Sequence, residues 1–525
     1  MEGWEGYKIG EKIDSYTVKA GEVPATVEIV PQKSEFVLTY QVKLPKFDEK
    51  SLKKIKNIKD QLISQVNVSV SEILNSQKKE LMKQKFFEKA IEIISNNFPS
   101  MSSEDKKIYA NYLVHEMLGL GLIEIPLADI NLEEIVINSS EEPCWVYHKK
   151  YGWLKTNIGL ESEDQIYNYS TSIGMRSGRE ISKLDPLMDT HLTTGDRVNA
   201  TLFPISIKGN TITIRKFSRN PYTITDLVKF GTLDTNILTI LWLAIESEMN
   251  IIISGGTATG KTTLLNALSV FIPPNQRIIT VEDTKEMNLP KFLHWVPLLV
   301  REPNPEGKGK VTMLDLLVNS LRMRPDRILV GEIRRHKGAE VLFEAMHTGH
   351  SVMGTLHAHT SEETIIRLMN PPISVPESMI AGLDLVVVLG RHRREGFRKV
   401  IELSEIIPFI GDDNKYHAGL NTLFKYQLKT GNLQKVKKSK RVFQDLIDYS
   451  GFSYEEVQNE MKNKRKVLDW IIKQEIKDMD MIGGIIAEYY KNKDLVLNIV
   501  DGKKTLKDIE VFEEADENNE LTLTI

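Results

Sequence analysis

The sequence predicts an α/β protein with a parallel sheet at its centre, preceded by an α+β region and followed by a helical extension. Beyond residue 233, an apolar helix-like segment, the buried-type strand NIIIS, a glycine-rich turn and a further helix follow one another. That alternation is typical of a parallel α/β core. Before this core, short alternating strands are mixed with helices, and after it the apolar spacing becomes helical again.

The composition indicates several domains and excludes some classes of protein. The chain has 525 residues, 41% of them apolar, so two to four domains are expected at roughly 100 to 200 residues each. Sixty-eight basic and 72 acidic side chains give a net charge of −4, which gives no indication of a nucleic acid partner, so such a partner is not expected. The single cysteine, Cys144, cannot form an internal disulfide or a paired-cysteine zinc site, which fits a reducing compartment.

The apolar runs and the start of the chain bear on localisation. No run approaches the roughly eighteen consecutive apolar residues of a membrane-spanning helix, and the start of the chain is acidic where a secretory signal would be basic. We therefore expect a cytoplasmic protein without a direct membrane span. Any membrane role would come through partner proteins or surface contact.

Breaks in the pattern divide the chain into four predicted regions. Residues 1–100 hold a small β unit and a lysine-rich helical region, and residues 101–219 form an α+β amino-terminal domain. The dipeptide Asn220-Pro221 interrupts the chain before the core at residues 224–410. Residues 411–525 are predicted to be mainly helical with an acidic tail. The lysines are typical of a solvated helix face, and a docking surface for acidic lipid or protein is the alternative.

A glycine-rich segment matches G-x-x-x-x-G-K-S/T and lies between a predicted apolar strand and a helix. Its residues are Gly255, Gly256, Thr257, Ala258, Thr259, Gly260, Lys261 and Thr262, followed by Thr263 in the helix. Glycines let backbone N–H groups point at phosphates, and the helix adds the positive end of its dipole. We expect Lys261 to bind the terminal phosphates of ATP and the Thr262 hydroxyl to bind Mg²⁺. A glycine-rich turn without nucleotide is the alternative.

Acidic residues follow two predicted strands downstream of this segment: Glu282 and Asp283 follow the first strand, and Glu332 follows the second. The carboxyl ends of parallel strands meet at the edge where a ligand binds, so these acids are expected near the phosphates. Either acid alone would more often be a solvated loop residue. Here Asp283 and Glu332 are candidate metal ligands, and Glu282 is the candidate to orient or activate water. The sequence leaves the division of labour between the two glutamates open.

Four histidines lie close together in a third segment: His347, His350, His357 and His359. The segment suits a γ-phosphate sensor that donates hydrogen bonds, with His350 and His357 as the candidate residues. Structural histidines and a metal site are the alternatives. A metal site is the weakest of the three, because no carboxylate or cysteine accompanies the histidines at ligand spacing.

These motifs, in this order, resemble the secretion ATPase superfamily of type II secretion, type IV pili and the archaellum, and specifically its archaeal branch. The resemblance runs from about Tyr109 to about Val496. Four family boxes are matched: Walker A at 255–262, the aspartate box around 279–286, the Walker B region at 324–334 with glutamate for the usual aspartate, and the histidine box around 349–358.

The chain departs from the family pattern in two places. It lacks the cysteines for the four-cysteine zinc element of many bacterial assembly relatives. The turn Thr194-Gly195-Asp196-Arg197 replaces the common acid-glycine-serine-arginine turn, which leaves the partner of Arg197 open.

The resemblance implies a RecA-like P-loop ATPase core in a homo-hexameric ring, with each nucleotide between two domains. Basic residues would reach the nucleotide, and the candidates are Arg179, Arg197, Arg215, Arg301 and Arg322. Arg197 and Arg215 are taken as the nucleotide contacts, because a planar guanidinium matches phosphate oxygens.

The function implied is Mg²⁺-dependent ATP hydrolysis that drives assembly of an archaeal pilus-like or archaellum filament, or related secretion. A polytopic membrane platform protein would be the partner, which places the chain at the inner face of the membrane. One alternative is a ring ATPase for conjugation-type export of DNA or protein, although no basic track with stacking aromatics supports DNA. The other is a nucleotide-gated scaffold without hydrolysis, against which Glu282 and Glu332 argue.

Overall fold

The computed structural model forms two compact units. The amino-terminal unit comprises Glu2–Ser218 with Asn304–Lys308, and the core unit comprises Arg219–Pro303 with Gly309–Ile525. The structure describes residues 11–33, 35–44, 58–59, 61–62, 76–192, 194–217, 221–301, 303, 307–392, 397–412, 414, 416–427, 430–509, 512–514 and 521–523. Most of the predicted lysine-rich helix before residue 76 lies outside the described residues, as does part of the acidic tail. Among the described residues, no helix is both long and apolar enough to cross a membrane.

A mixed sheet of nine described strands organises the amino-terminal unit. The strands are β1 (Asp14–Ala20), β2 (Val23–Val30), β3 (Thr39–Lys43), β4 (Leu132–Ile137), β5 (Trp145–His148), β6 (Gly152–Thr156), β7 (Leu187–His191), β8 (Arg197–Thr201) and β9 (Thr211–Arg215). Their spatial order is β1-β2-β3-β6-β5-β4-β9-β8-β7, and β3 pairs with β6 in parallel. The α-helices of this unit are α1 (Ser76–Asn97), α2 (Ser103–Leu118), α3 (Glu124–Ala128) and α4 (Glu163–Arg176).

One buried carboxylate ties the first strands to the rest of this sheet. Asp129, which precedes β4, accepts hydrogen bonds from the hydroxyls of Tyr16 and Tyr40, each 2.8 Å long. A buried charge requires such partners, and the two tyrosines come from β1 and β3. The strands within residues 1–100 therefore share a sheet with those of residues 101–219, which the sequence analysis treats as two regions.

The core unit is built on a second sheet of nine described strands. The strands are β10 (Ile251–Gly255), β11 (Arg277–Glu282), β12 (His294–Leu299), β13 (Arg327–Val330), β14 (Ser351–Leu356), β15 (Leu385–Arg391), β16 (Arg398–Ile410), β17 (Tyr416–Gln427) and β18 (Asn432–Lys435). In space they follow the order β12-β11-β13-β14-β10-β15-β16-β17-β18. Neighbours from β12 to β15 are parallel, and β16, β17 and β18 extend the sheet in antiparallel fashion.

Helices cover both faces of the parallel strands. They are α5 (Ile224–Lys229), α6 (Thr235–Glu246), α7 (Lys261–Leu268), α8 (Met313–Ser320), α9 (His336–His347), α10 (Ser361–Met369) and α11 (Glu377–Ile380). On β10, Ile251 and Ile253 belong to one apolar cluster and Ile252 to another. Successive strand residues point to opposite faces, so both faces of this central strand are buried. The predicted α/β class with a RecA-like core is confirmed.

Four helices of the carboxy-terminal region pack onto this core: α12 (Val442–Ser450), α13 (Tyr454–Lys473), α14 (Met479–Lys491) and α15 (Lys493–Val500). The indole of Trp242 on α6 stacks on the Phe271 ring at 5.2 Å and donates a 2.8 Å hydrogen bond to the Tyr490 hydroxyl. The fully buried Lys464 places its Nζ atom 4.2 Å from the centroid of the Trp242 ring and 2.9 Å from Glu246 Oε2. The predicted helical extension is thus part of the core. Two short strands, β19 (Phe512–Glu514) and β20 (Leu521–Leu523), pair in antiparallel fashion after them.

Candidate active site

The glycine-rich segment connects β10 to α7 at the carboxyl edge of the parallel strands. Gly260, at the start of α7, has a φ of 95°, which favours glycine. A Cβ atom at Gly255 would lie 2.7 Å from the carbonyl oxygen of Leu389, and one at Gly256 would lie 3.0 Å from Cε1 of His359. The Thr259 hydroxyl donates to the Gly256 carbonyl at 2.9 Å and closes the turn. The loop is therefore a tight backbone turn ending on a helix amino terminus, as phosphate binding requires.

Lys261, His357 and Glu332 form a chain of polar contacts beside this loop. The buried Lys261 ammonium donates to the Gly256 carbonyl at 3.0 Å and lies 3.4 Å from His357 Nδ1. On the other side of the ring, His357 Nε2 lies 3.4 Å from Glu332 Oε1. The structure thus brings together residues from three separate sequence motifs.

The charges in this chain follow from burial and contact. Burial lowers the pKa of Lys261, although Glu332 and Glu286 act in the opposite direction. Burial and the Lys261 charge lower the pKa of His357, which favours the neutral ring. In a neutral ring one nitrogen accepts and the other donates. With Nδ1 facing an ammonium, the Nε2–H group is the one that can donate to Glu332.

Glu282 ends β11 and is almost completely buried, with 1% of its surface exposed. Its Oε1 atom accepts hydrogen bonds from the backbone N–H groups of Glu286 and Met287, both 3.0 Å long. Its Oε2 atom is buried, and no described residue is its hydrogen-bond partner. Burial raises the pKa of Glu282 to about 7, against the effect of the two backbone bonds. A carboxyl group with this pKa exchanges protons near neutral pH.

Glu332 is kept ionised by Arg334, a residue whose part in the site is not predicted from the sequence. Arg334 NH2 lies 2.8 Å from Glu332 Oε2, and Arg334 NH1 lies 2.8 Å from Asp283 Oδ2. Burial opposes ionisation of Glu332, but the hydrogen bond and charge of Arg334, with His357 and Lys261, hold the pKa of Glu332 below its usual range. The sequence carried one signal: Glu332 and Arg334 flank Ile333, and alternate residues of an extended segment share a side.

The other predicted loop and histidine residues fall in different places. Thr262 and Thr263 are half-buried in the first turn of α7, while Thr257 and Ala258 are exposed in the loop. His350 precedes β14, a strand of six residues, and His357 follows it. Because a strand rises roughly 3.3 Å per residue, the two histidines lie at opposite ends of β14. His350, whose Nδ1 is 3.2 Å from the Thr348 hydroxyl, is therefore not brought to the glycine-rich loop.

Arg197 and Arg215, the two arginines taken as nucleotide contacts, lie in the amino-terminal unit. The guanidinium of Arg197 forms a bidentate ion pair with Asp189, in which Nε lies 3.0 Å from Oδ1 and NH2 lies 2.5 Å from Oδ2. Its sequence neighbour Asp196 instead accepts the backbone N–H of Phe217 at 2.8 Å. Arg215 on β9 lies opposite Glu134 on β4. Burial raises the pKa of Glu134, and the positive charge of Arg215 acts in the opposite direction. Their contacts with nucleotide remain a prediction.

The side chains at the carboxyl edge fit a magnesium–nucleotide complex. Within the described part of the chain, no group of three His, Cys, Asp or Glu side chains forms a ready metal site. Mg²⁺ needs few protein ligands, because it keeps several waters and takes oxygens from the substrate phosphates. The Thr262 hydroxyl and the carboxylates of Glu332 and Asp283 are the oxygen donors that would hold it. The partnerless Glu282 Oε2 adds a buried acceptor with no use inside the protein.

Comparison with known proteins identifies the family. The model of the type II/IV secretion system protein family matches residues 190–393. An uncharacterized protein of Methanocaldococcus jannaschii is 34% identical over 415 residues, which is 77% of this chain and 74% of that protein. The chain belongs to the type II/IV secretion system protein family.

Further relatives of this secretion family member come from bacteria. The type IV secretion system protein PtlH of Bordetella pertussis is 30% identical over 303 residues, covering 51% of this chain and 88% of PtlH. Among solved structures, the VirB11 ATPase of the Brucella suis type IV secretion system is 25% identical, with a TM-score of 0.28, over 53% of this chain and 90% of VirB11. The predicted superfamily is confirmed, and all four sequence boxes lie inside the matched segment.

Proposed function

We propose that this chain is a Mg²⁺-dependent ATPase that powers a secretion or filament-assembly machine. The observation that carries the proposal is the convergence of Lys261, His357, Glu332 and Glu282 at one edge of the sheet, beside a phosphate-binding turn. A nucleotide-binding scaffold would need the turn and Lys261. It would have no use for a buried carboxyl group whose pKa is raised to about 7 and whose second oxygen has no partner.

In this proposal the work of the protein is positioning and charge stabilisation. Lys261 neutralises the terminal phosphates from a buried position. Glu282 takes the proton of the attacking water through Oε2 while the two backbone bonds hold Oε1 in place. The ionised Glu332 with Thr262 and Asp283 would hold Mg²⁺, which would supply positive charge to the phosphate oxygens. His357 links Lys261 to Glu332, so the cationic and anionic parts of the site keep a fixed spacing.

The proposal extends to a homo-hexameric ring that drives an archaeal pilus-like or archaellum filament, through a polytopic membrane platform protein and from the cytoplasmic face. The resemblance of the sequence boxes to this superfamily supports it, and a relative of this chain occurs in Methanocaldococcus jannaschii. In the assembled ring, Arg197 and Arg215 would contribute to nucleotide binding. Nucleotide should then promote assembly, because a ligand bound at a shared cleft stabilises the complex. Sedimentation with and without a non-hydrolysable ATP analogue tests this, and a monomer that hydrolyses ATP at a concentration-independent rate per chain contradicts it.

Phosphate release by the full chain tests the enzymatic assignment. The wild-type protein should release phosphate from ATP only with Mg²⁺, and Lys261→Ala should abolish the release. Lys337→Ala is the matched control, because Lys337 is exposed on α9. Wild-type turnover in Lys261→Ala would reject the site. Nucleotide binding by the wild type without any release of phosphate would favour the scaffold.

A further inference from the structure

Arg334 cross-links the ends of two neighbouring strands through their carboxylates. Asp283 follows β11 and Glu332 follows β13 by two residues, and these strands pair in parallel. One guanidinium contacts both acids at 2.8 Å, using Asp283 Oδ2 and Glu332 Oε2. The hydrogen bond to Glu332, and the charges of Glu332 and Asp283, raise the pKa of Arg334. The fork is therefore a permanent cation placed between two anions.

The backbone fixes this arrangement. Ile333 is buried with 4% of its surface exposed, and its N–H group donates to the Thr355 carbonyl on β14 at 2.9 Å. Because Ile333 points into the core, Glu332 and Arg334 on either side of it project together. Arg335, the next residue, is exposed at the start of α9. The two adjacent arginines thus have different environments: Arg334 contacts both acids, and Arg335 lies exposed at the start of the helix.

We propose that Arg334 competes with the divalent cation for Asp283 and Glu332 and thereby sets the metal affinity of the site. This inference rests on the proposed function, which gives those carboxylates to the metal. A carboxylate oxygen that accepts a hydrogen bond from the guanidinium is not available to bind the metal ion. The positive charge of Arg334 also repels a metal cation placed beside it. Binding of the metal then requires Arg334 to release at least one acid. The opposite role, in which Arg334 orients both acids for the metal, predicts weaker metal binding when Arg334 is lost.

Titration of the full chain with Mn²⁺ alone, followed by electron paramagnetic resonance, separates these two roles without nucleotide. Arg334→Gln should bind Mn²⁺ about tenfold more tightly than wild type, a change of about 1.4 kcal/mol. Arg335→Gln, which removes the same charge one residue away, should bind like wild type. Arg334→Lys keeps the charge but loses the fork, so its affinity should fall between the two. Arg334 is exposed, so its substitution should leave the fold intact, and a thermal melt of each variant checks this.

The outcomes also distinguish this inference from the proposed function. Equal or weaker Mn²⁺ binding by Arg334→Gln, compared with Arg335→Gln, overturns the competition whether or not the wild type hydrolyses ATP. Tighter binding by Arg334→Gln, in a protein whose wild type releases no phosphate, supports the competition and rejects the ATPase assignment. Tighter binding together with wild-type turnover supports both.

Discussion

The Nδ1 atom of His357 lies 3.4 Å from the Nζ atom of Lys261, so the histidine segment and the phosphate-binding turn meet in the folded chain. His357 is also 3.4 Å from Glu332 through Nε2. The ring therefore separates the buried cation from the acid and keeps them from pairing directly. Any group that replaces the ring alters the spacing between the phosphate side and the metal side of the proposed site.

Substitution of the two candidate histidines should give unequal results. His357→Ala should lower turnover by roughly 10²-fold, the size of effect seen when one preorganised donor is removed from a catalytic site. His350→Ala should leave turnover near the wild-type value, because β14 places His350 at the other edge of the sheet. Steady-state phosphate release at saturating ATP makes the comparison. Equal losses in both variants would show that the segment acts as a whole.

Glu282→Gln should bind nucleotide but lose at least about 10²-fold in turnover, because a general base contributes typically that much or more. Wild-type turnover should rise with pH through about 7, as Glu282 loses its proton. The residual activity of the variant should not show that rise. A pH–rate profile of both proteins between pH 5.5 and 9 tests the assignment, and an unchanged profile in the variant would remove Glu282 from the role of base.

The same carboxyl group should also make stability depend on pH. Its pKa rises from the ordinary value of 4.5 to about 7 on folding, so the folded chain binds the proton more tightly. This contribution is fully present below about pH 4.5 and is lost as the pH rises through 7. Glu282→Gln should therefore gain stability relative to wild type between pH 5 and pH 8, by up to about 3 kcal/mol. Urea unfolding at the two pH values measures the gap, and a gap that does not change with pH would contradict the prediction.

Glu332→Gln should keep nucleotide binding and lose hydrolysis, since it preserves shape but removes a negative charge next to the metal. The loss should be roughly 10²-fold or more, on the scale of a single electrostatic contact in a catalytic site. Glu344→Gln on α9 is a control of the same chemistry on an exposed residue. Phosphate release and equilibrium binding of a fluorescent ATP analogue are both required. A variant that fails to bind nucleotide would assign Glu332 to binding or structure.

The sequence predicted those parts of the site that depend on local pattern. The glycine-rich turn is contiguous, and strand ends that carry acids are recognisable without knowing how strands pair. The apolar run SVMGTL between His350 and His357 also indicates a strand. A strand of this length places the two histidines at its opposite ends. The link from Arg334 to Asp283 was not visible, because it depends on β11 and β13 being neighbours.

Long-range pairing also explains what the sequence missed in the fold. A small β unit was expected within residues 1–100, yet Thr39 of β3 pairs with Lys155 and Tyr40 with Thr156, both on β6. No local pattern encodes such a parallel contact. Asp129, whose carboxyl group accepts hydrogen bonds from Tyr16 and Tyr40, is likewise distant from both tyrosines in the sequence.

The packing of the buried Lys464 against the Trp242 ring limits how the protein can be shortened. A chain that ended after β18 would uncover Trp242, now fully buried, together with the apolar wall that α13 and α14 cover. Each square ångström of apolar surface returned to water costs about 25 cal/mol, and Glu246 would lose its buried ammonium partner. The segment that carries the family motifs is therefore not expected to fold stably without the carboxy-terminal helices. A fragment that keeps Trp242 buried must therefore include the carboxy-terminal helices.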